Sequence, residues 1–183
     1  MKEKVCLVDE NTREGMASSK NVHWNTPSEI INPIYREFGS IALDPCSNEG
    51  SIVGAKINWN GPTIDKDGLK ESWQVGGMTF INPPYAKGKQ GIKPWIAKTV
   101  AEAKLNYKNR TENEYILLGP ARTDTVFFQD LVCPTANKIL LWKGRITFLG
   151  ADAGAFFPSF LAYWGHREDL FVAAYLGKGY FFE

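Results

Sequence analysis

The feature that most constrains the fold is a series of short apolar segments, each followed by a polar or proline-containing loop. Residues 41–44, 78–81 and 115–118 are such segments, and residues 93–108 carry apolar side chains at near-helical spacing. Residues 139–142, 146–148, 160–164 and 171–175 then follow as closely spaced strand candidates. This order predicts an α/β fold with an open, mostly parallel sheet and an antiparallel edge. Residues 52–59 are a further strand candidate, and a short helix is expected near residues 125–131.

A first helix is predicted just after residue 26. Thr26 suits an N-cap, Pro27 suits the first helical position, and Glu29 completes a capping box. Pro33 marks where a break would fall, because an interior proline costs about 3 kcal/mol. The helix is expected to end at Gly39.

Length and composition indicate one globular domain. Residues 1–20 are polar and aperiodic, so we expect a flexible leader before a single domain at residues 21–183. No apolar run is long enough to span a bilayer, and the N-terminus lacks the apolar region of a signal peptide, so we expect a cytoplasmic protein. The three cysteines and two histidines have neither disulfide nor metal-site spacing, so we expect no metal.

The tetrapeptide Asn82-Pro83-Pro84-Tyr85 directly follows an apolar segment. Its prolines stiffen the backbone and remove two N–H donors. The Asn82 side-chain oxygen and the Pro83 carbonyl can then accept both hydrogens of one NH2 group, which keeps the nitrogen lone pair directed at an electrophilic methyl group. Tyr85 offers a ring on which a planar base can stack, worth about 1–3 kcal/mol. The alternative is a proline-rich turn with an incidental aromatic residue.

Three residues are expected to share one edge of the sheet. Asp44, Asn82 and Pro120 each lie at the end of a predicted strand. Ligands of open α/β sheets bind outside the carboxyl ends of the strands. The sequence therefore places the tetrapeptide at a binding edge.

The tetrapeptide and further blocks, in the same order, resemble the phage-type DNA N6-adenine methyltransferases, a Dam-like family. The resemblance covers roughly residues 22–165. Its other blocks are Trp24-x-Thr26-Pro27, Leu43 to Ser47, Asp67 to Leu69 with Trp73, Pro94 to Ile96, Gly119 to Thr125, Lys143 to Phe148 and Phe157 to Ser159. The tetrapeptide alone is shared with other amino-methyltransferases, so the ordered set is the more specific signal.

The resemblance implies a Rossmann-like methyltransferase that uses S-adenosyl-L-methionine as donor and flips adenine out of double-stranded DNA. Asn82, Pro83, Pro84 and Tyr85 would be the catalytic residues. Cofactor-binding residues implied in the same way are Trp24, Thr26, Pro27, Asp44, Cys46 and Asp67. Asp44 would meet the methionine ammonium group, and Asp67 would reach the adenosine. Protection of phage DNA from host nucleases, as in restriction-modification, is a family-level expectation.

Several of these roles have alternatives. Asp44 also fits a loop cap, Asp67 also fits a turn residue, and Asp65 is a near-equal candidate. The block at residues 24–27 also fits a plain helix start. The loop after the first strand lacks the usual glycine cradle, since its nearest glycine is Gly50.

The net charge of the chain gives little indication of where it would contact DNA. The net charge of +1 is low for a protein that binds DNA strongly and nonspecifically. Candidate phosphate contacts are Lys87, Lys89, Arg122 and Arg145, although the arginines also suit structural ion pairs. Rival functions are methylation of cytosine N4 or protein glutamine, and a non-catalytic DNA-binding remnant. We expect a monomer or weak dimer.

Overall fold

The computed structural model describes residues 24–48, 50–59, 66–85 and 91–182. The expected leader, Asp65, Lys87 and Lys89 lie outside these residues. Within them the strands are β1 (Leu43–Asp44), β2 (Ile57–Asn58), β3 (Met78–Ile81), β4 (Glu114–Pro120), β5 (Lys138–Trp142), β6 (Ser159–Trp164) and β7 (Gly179–Phe182). The helices are α1 (Ser28–Phe38), α2 (Ile92–Asn109) and α3 (Glu168–Ala174), with a π-helical turn at Phe128–Val132.

The described strands form one sheet in the order β2-β1-β3-β4-β6-β5-β7. The neighbours β2, β1, β3 and β4 pair in parallel, and β4, β6, β5 and β7 pair antiparallel. The α/β architecture is therefore confirmed, with parallel pairing at one end of the sheet. The antiparallel part is wider than the predicted edge, because β6 inserts between β4 and β5 and β7 adds outside β5.

Two of the predicted strands are wrong. Residues 171–175 lie in and directly after α3, where Phe171 and Tyr175 are buried and the Tyr175 hydroxyl donates to the Ile30 carbonyl oxygen at 2.8 Å. A short apolar run fits a buried helix as well as a strand. Residues 146–148 are outside the strands, although Ile146 and Phe148 are buried. Of residues 52–59, two form β2.

The start of α1 also differs from the prediction. Its N-cap is Pro27 rather than Thr26, and no side chain caps it, so the predicted capping box is wrong. The helix runs unbroken through Pro33, and the carbonyl that this proline leaves without an N–H partner belongs to Glu29, an exposed residue of the first turn. Gly39, with φ of 82°, ends the helix as predicted.

Core layers cover both faces of the sheet. Helices α1 and α3 pack on one face, and α2 packs on the other. Successive residues along the strands alternate between these layers, as Phe80 and Ile81 do in β3. With both faces covered by helices, the ends of the strands are left as the place for a site.

Candidate active site

The carboxyl ends of three parallel strands meet at one edge. β1 ends at Asp44, β3 is followed by Asn82, and β4 ends at Pro120. β1 pairs with β3 and β3 pairs with β4, all in parallel. The shared edge that the sequence predicts is confirmed, and it is where ligands bind in open α/β sheets.

The side chain of Asn82 is held at both ends. Its amide nitrogen donates to the Trp24 carbonyl oxygen and to the Thr26 hydroxyl oxygen, the latter at 2.9 Å. Its oxygen accepts a hydrogen bond from the Tyr85 hydroxyl at 2.6 Å. The structure therefore brings residues 24–26 and the tetrapeptide together. The following Pro83 is buried and Pro84 is half-buried.

An aromatic cluster surrounds Tyr85; we define it as Trp24, Tyr85, Phe148, Phe156 and Phe157. The Tyr85 ring meets Phe157 edge-on, with ring centroids 5.5 Å apart and planes at 87°. Trp24 meets Phe148 and Phe157 at centroid distances of 5.2 and 5.5 Å. Phe156 remains 50% exposed. Burial raises the pKa of Tyr85 well above its usual value, so its hydroxyl keeps its proton.

No local sequence pattern assigned the phenylalanines of this cluster to the site. Phe148 and Phe157 lie in blocks of the family resemblance, in the connection between β5 and β6. The bridge between Asn25 and Leu149 brings this connection against residues 24–26. A tertiary contact of this kind leaves no periodic signal in the sequence.

Asp44 is a buried carboxyl group, 4% exposed. Burial raises its pKa from 3.8 to about 7, although hydrogen bonds from Cys46 and Ser47 oppose this shift. The ion pairs formed by the described residues do not include Asp44. A buried acid without a cationic partner is costly, and a cationic ligand would relieve that cost.

Cys46 links two parts of the site. Its backbone N–H donates to an Asp44 carboxyl oxygen at 3.2 Å, and its thiol also interacts with Asp44. The sulfur in turn interacts with the backbone of Asn82. Burial is the largest influence on the thiol and raises the pKa of Cys46 well above its ordinary value. The thiol is therefore a weak hydrogen-bonding group here rather than a nucleophilic thiolate.

The turn that contains Asp67 packs against the loop after β1. A Cβ atom on Gly68 would lie 2.0 Å from the Pro45 carbonyl oxygen, so only glycine permits this approach. The Asp67 carboxylate accepts from the Leu69 N–H at 3.0 Å and pairs with Lys70 at 3.1 Å. These partners lower the pKa of Asp67, the Leu69 N–H most strongly. Asp67 is thus close in the fold to the loop of Asp44, while its carboxylate is engaged within its own turn.

The two candidate arginines are exposed. Arg122 follows β4 at the same edge of the sheet, and Arg145 lies beside Gly154 in the connection between β5 and β6. Ion pairs found within the described ranges include neither of them. The alternative of a structural ion pair therefore gains no support.

Two of the described acceptor oxygens at the loop after β1 lack a hydrogen-bond partner. Among the described residues, the side-chain oxygens of Asn25 and Asn48 are buried without a hydrogen-bond partner. Asn48 lies in the loop after β1, and the Asn25 amide lies 3.3 Å from where a Gly50 Cβ would be. Such acceptors fit a ligand that carries ammonium and hydroxyl donors. In the part of the chain that is described, no group of histidine, cysteine and acidic residues is arranged to hold a metal.

One comparison with known proteins decides the family. The sequence model described as DNA N-6-adenine-methyltransferase (Dam) matches residues 15–158, which is more than half of the chain and includes the tetrapeptide and the whole aromatic cluster. The chain belongs to this family. Comparison with curated proteins gives no match. The Dam-family resemblance read from the sequence is confirmed, and with it the class of activity, DNA adenine N6-methylation. None of the described helices of this Dam-family protein is long and apolar enough to cross a membrane.

Proposed function

We propose that this Dam-family protein transfers a methyl group from S-adenosyl-L-methionine to the N6 amine of an adenine flipped out of double-stranded DNA, using a Rossmann-like sheet. The observation that carries the proposal is the Asn82 carboxamide. Its nitrogen donates to the Trp24 carbonyl and the Thr26 hydroxyl, and its oxygen accepts from the Tyr85 hydroxyl at the binding edge.

The residues on the donor side fit the cofactor. When bound, S-adenosyl-L-methionine supplies an electrophilic methyl group on a positively charged sulfur. Asp44 would hold its ammonium group, and the unpartnered oxygens of Asn25 and Asn48 would accept its remaining donors. We place Trp24, Pro27, Cys46 and Asp67 around the same ligand, as the Dam-family resemblance implies. Thr26 belongs to the same block, but its hydroxyl is bound to Asn82.

On the acceptor side, the Asn82 oxygen and the Pro83 carbonyl would bind the two hydrogens of the adenine amine. This pairing orients the nitrogen lone pair, and alignment of reacting atoms about 3–3.5 Å apart contributes several kcal/mol to catalysis. No strong base is required, because the proton leaves after the nitrogen has become cationic. The raised pKa of Tyr85 is consistent with this, since its hydroxyl stays neutral.

Base flipping supplies the adenine to this edge. Extruding a paired base costs a few kcal/mol. Stacking on Tyr85 would stabilise the extruded base by about 1–3 kcal/mol and so offset part of this cost. Exposed Arg122 and Arg145 are proposed to hold phosphates, together with Lys87 and Lys89.

The proposal is tested by incubating the protein with labelled S-adenosyl-L-methionine and unmodified DNA, then digesting the DNA to nucleosides. We expect the label in N6-methyldeoxyadenosine. Label in N4-methyldeoxycytidine, or in glutamine of a protein substrate, would support the rival methyltransferases. Failure to bind the donor at all would support a non-catalytic remnant.

Substitutions of Tyr85 separate the role of its ring from that of its hydroxyl. The hydroxyl occupies the Asn82 oxygen that the adenine amine needs. Tyr85→Phe keeps the ring and frees that oxygen, so we expect kcat/KM within about 3-fold of wild type. Tyr85→Ala removes the stacking surface and is expected to lower kcat/KM by about 10–100-fold. Steady-state kinetics on DNA measure both values, and a Phe variant as poor as the Ala variant would show that the hydroxyl itself is required.

A further inference from the structure

We propose that Thr26 is a positioning residue that orients the Asn82 carboxamide so that its oxygen, rather than its nitrogen, faces the substrate amine. The inference rests on the proposed function and adds to it a residue on the acceptor side of the reaction. It is carried by the hydrogen bond of 2.9 Å between the Asn82 amide nitrogen and the Thr26 hydroxyl oxygen.

The orientation of this carboxamide decides whether it can bind an amine. Its two ends have nearly the same size, but the oxygen accepts hydrogen bonds and the NH2 group donates them. A carboxamide rotated by 180° would present N–H groups to the N–H groups of adenine. That arrangement has no acceptor for the substrate and would not hold the adenine nitrogen in place.

The Trp24 carbonyl selects the productive orientation, and the Thr26 hydroxyl, which can donate or accept, accepts here and holds that orientation. The Trp24 carbonyl accepts hydrogen bonds and cannot donate them, so the end of the carboxamide that faces it must be the nitrogen. The Thr26 hydroxyl takes the second hydrogen of the same NH2 group. With both hydrogens bound on this side, the oxygen is directed towards Tyr85.

The segment that supplies these acceptors is itself held in place. The Leu149 N–H donates to the Asn25 carbonyl oxygen at 2.9 Å, and the Ile30 N–H at the start of α1 donates to the Pro27 carbonyl oxygen at 3.1 Å. Thr26, between these anchors, is 3% exposed. A support anchored on both sides can hold a catalytic side chain within the narrow range of geometry that transfer needs.

Thr26 reaches Asn82 across 56 positions of the chain. The Dam-family resemblance assigns the block of Thr26 to the cofactor side. The contact with Asn82 predicts a different effect, on the rate of transfer rather than on the affinity for the donor. This difference can be measured.

The test compares Thr26→Val, which keeps the shape and removes the hydroxyl, with Thr26→Ser, which keeps the hydroxyl. We expect Val to lower kcat on DNA by about 10–100-fold, with the Kd for S-adenosyl-L-methionine within about 3-fold of wild type. Ser is expected to keep kcat within about 3-fold. Thermal melting checks that each variant is folded, and Thr26→Ala replaces the Val variant if that one does not fold.

A double-mutant cycle links the effect to Asn82. If Thr26 acts through Asn82, adding Thr26→Val to an Asn82→Ala protein lowers kcat no further. A Val variant with wild-type kcat, or one that loses donor affinity alone, would overturn the role of Thr26. The proposed function fails separately, if the wild-type protein yields no N6-methyldeoxyadenosine.

Discussion

Replacing Asn82 with alanine is expected to lower kcat for DNA methylation by about 10³-fold while the protein still binds S-adenosyl-L-methionine. The carboxamide oxygen and the Pro83 carbonyl are the proposed acceptors for the adenine amine. Loss of one fixed hydrogen-bonding group at a reacting centre costs about 10²–10³ in kcat. Asn82 supplies one of the two acceptors for the amine and sets the direction of its lone pair. We therefore expect the upper end of that range.

Single-turnover methylation and calorimetric titration of the donor measure the two effects separately. Asn32→Ala is a matched control, because Asn32 is an exposed asparagine on α1 that takes no part in the hydrogen bonds of Asn82. It should behave as wild type in both measurements. An Asn82→Ala protein that methylates DNA at the wild-type rate would show that the mechanism is wrong.

Replacing Asp44 with asparagine is expected to stabilise the ligand-free protein at alkaline pH. Burial raises the pKa of Asp44 from 3.8 to about 7. A raised carboxyl pKa gives stability that is fully present below about pH 4 and is lost as pH rises through about 7. The full difference amounts to about 4 kcal/mol, as an upper value. Asparagine does not ionise, so Asp44→Asn should melt well above wild type at pH 8 to 9 and close to it near pH 4.

The same substitution is expected to weaken donor binding. A charge-assisted hydrogen bond contributes about 1.5–3 kcal/mol, so the Kd for S-adenosyl-L-methionine should rise by about 10–100-fold at pH 8. The difference in donor Kd between the wild-type and Asp44→Asn proteins should narrow below pH 7, where Asp44 is protonated in the wild-type protein. Asp67→Asn is the control for stability: partners lower the pKa of Asp67, so this variant should not gain stability at pH 8. An Asp44→Asn protein with unchanged melting at pH 9 and unchanged Kd would contradict both expectations.

Much of the fold follows from local sequence. Residues 78–81 form β3 as predicted, because the apolar segment lies between two glycines and two prolines that confine it. The helix predicted at residues 93–108 is α2, Ile92–Asn109. By contrast, the apolar run at residues 171–175 is compatible with either a strand or a buried helix. Its residues lie in and directly after α3, and the buried ones pack in the same core cluster as α1, a contact that the local sequence does not reveal. β7 was not predicted, and its alternating exposure is that of an edge strand.

Some features of the site could be predicted from local sequence, and others depend on tertiary contacts. The tetrapeptide could be recognised from the sequence because its four residues are adjacent in the chain. The parallel pairing of β1 and β3 then brings it near Asp44. The partners of Asn82 could not be read from the sequence, since Thr26 looks locally like a helix cap. Its hydroxyl is used instead in a tertiary contact with Asn82. Likewise, the neighbours of Tyr85 come from the connection between β5 and β6.

The most direct measurement is a structure of the protein with a non-reactive donor analogue and a short DNA duplex that contains a site mapped by methylation. We expect an extrahelical adenine whose N6 lies about 2.7–3.2 Å from both the Asn82 side-chain oxygen and the Pro83 carbonyl oxygen. The Tyr85 hydroxyl should then have left the Asn82 oxygen to the substrate. An adenine amine bound by other groups, with Asn82 turned away from it, would contradict the account.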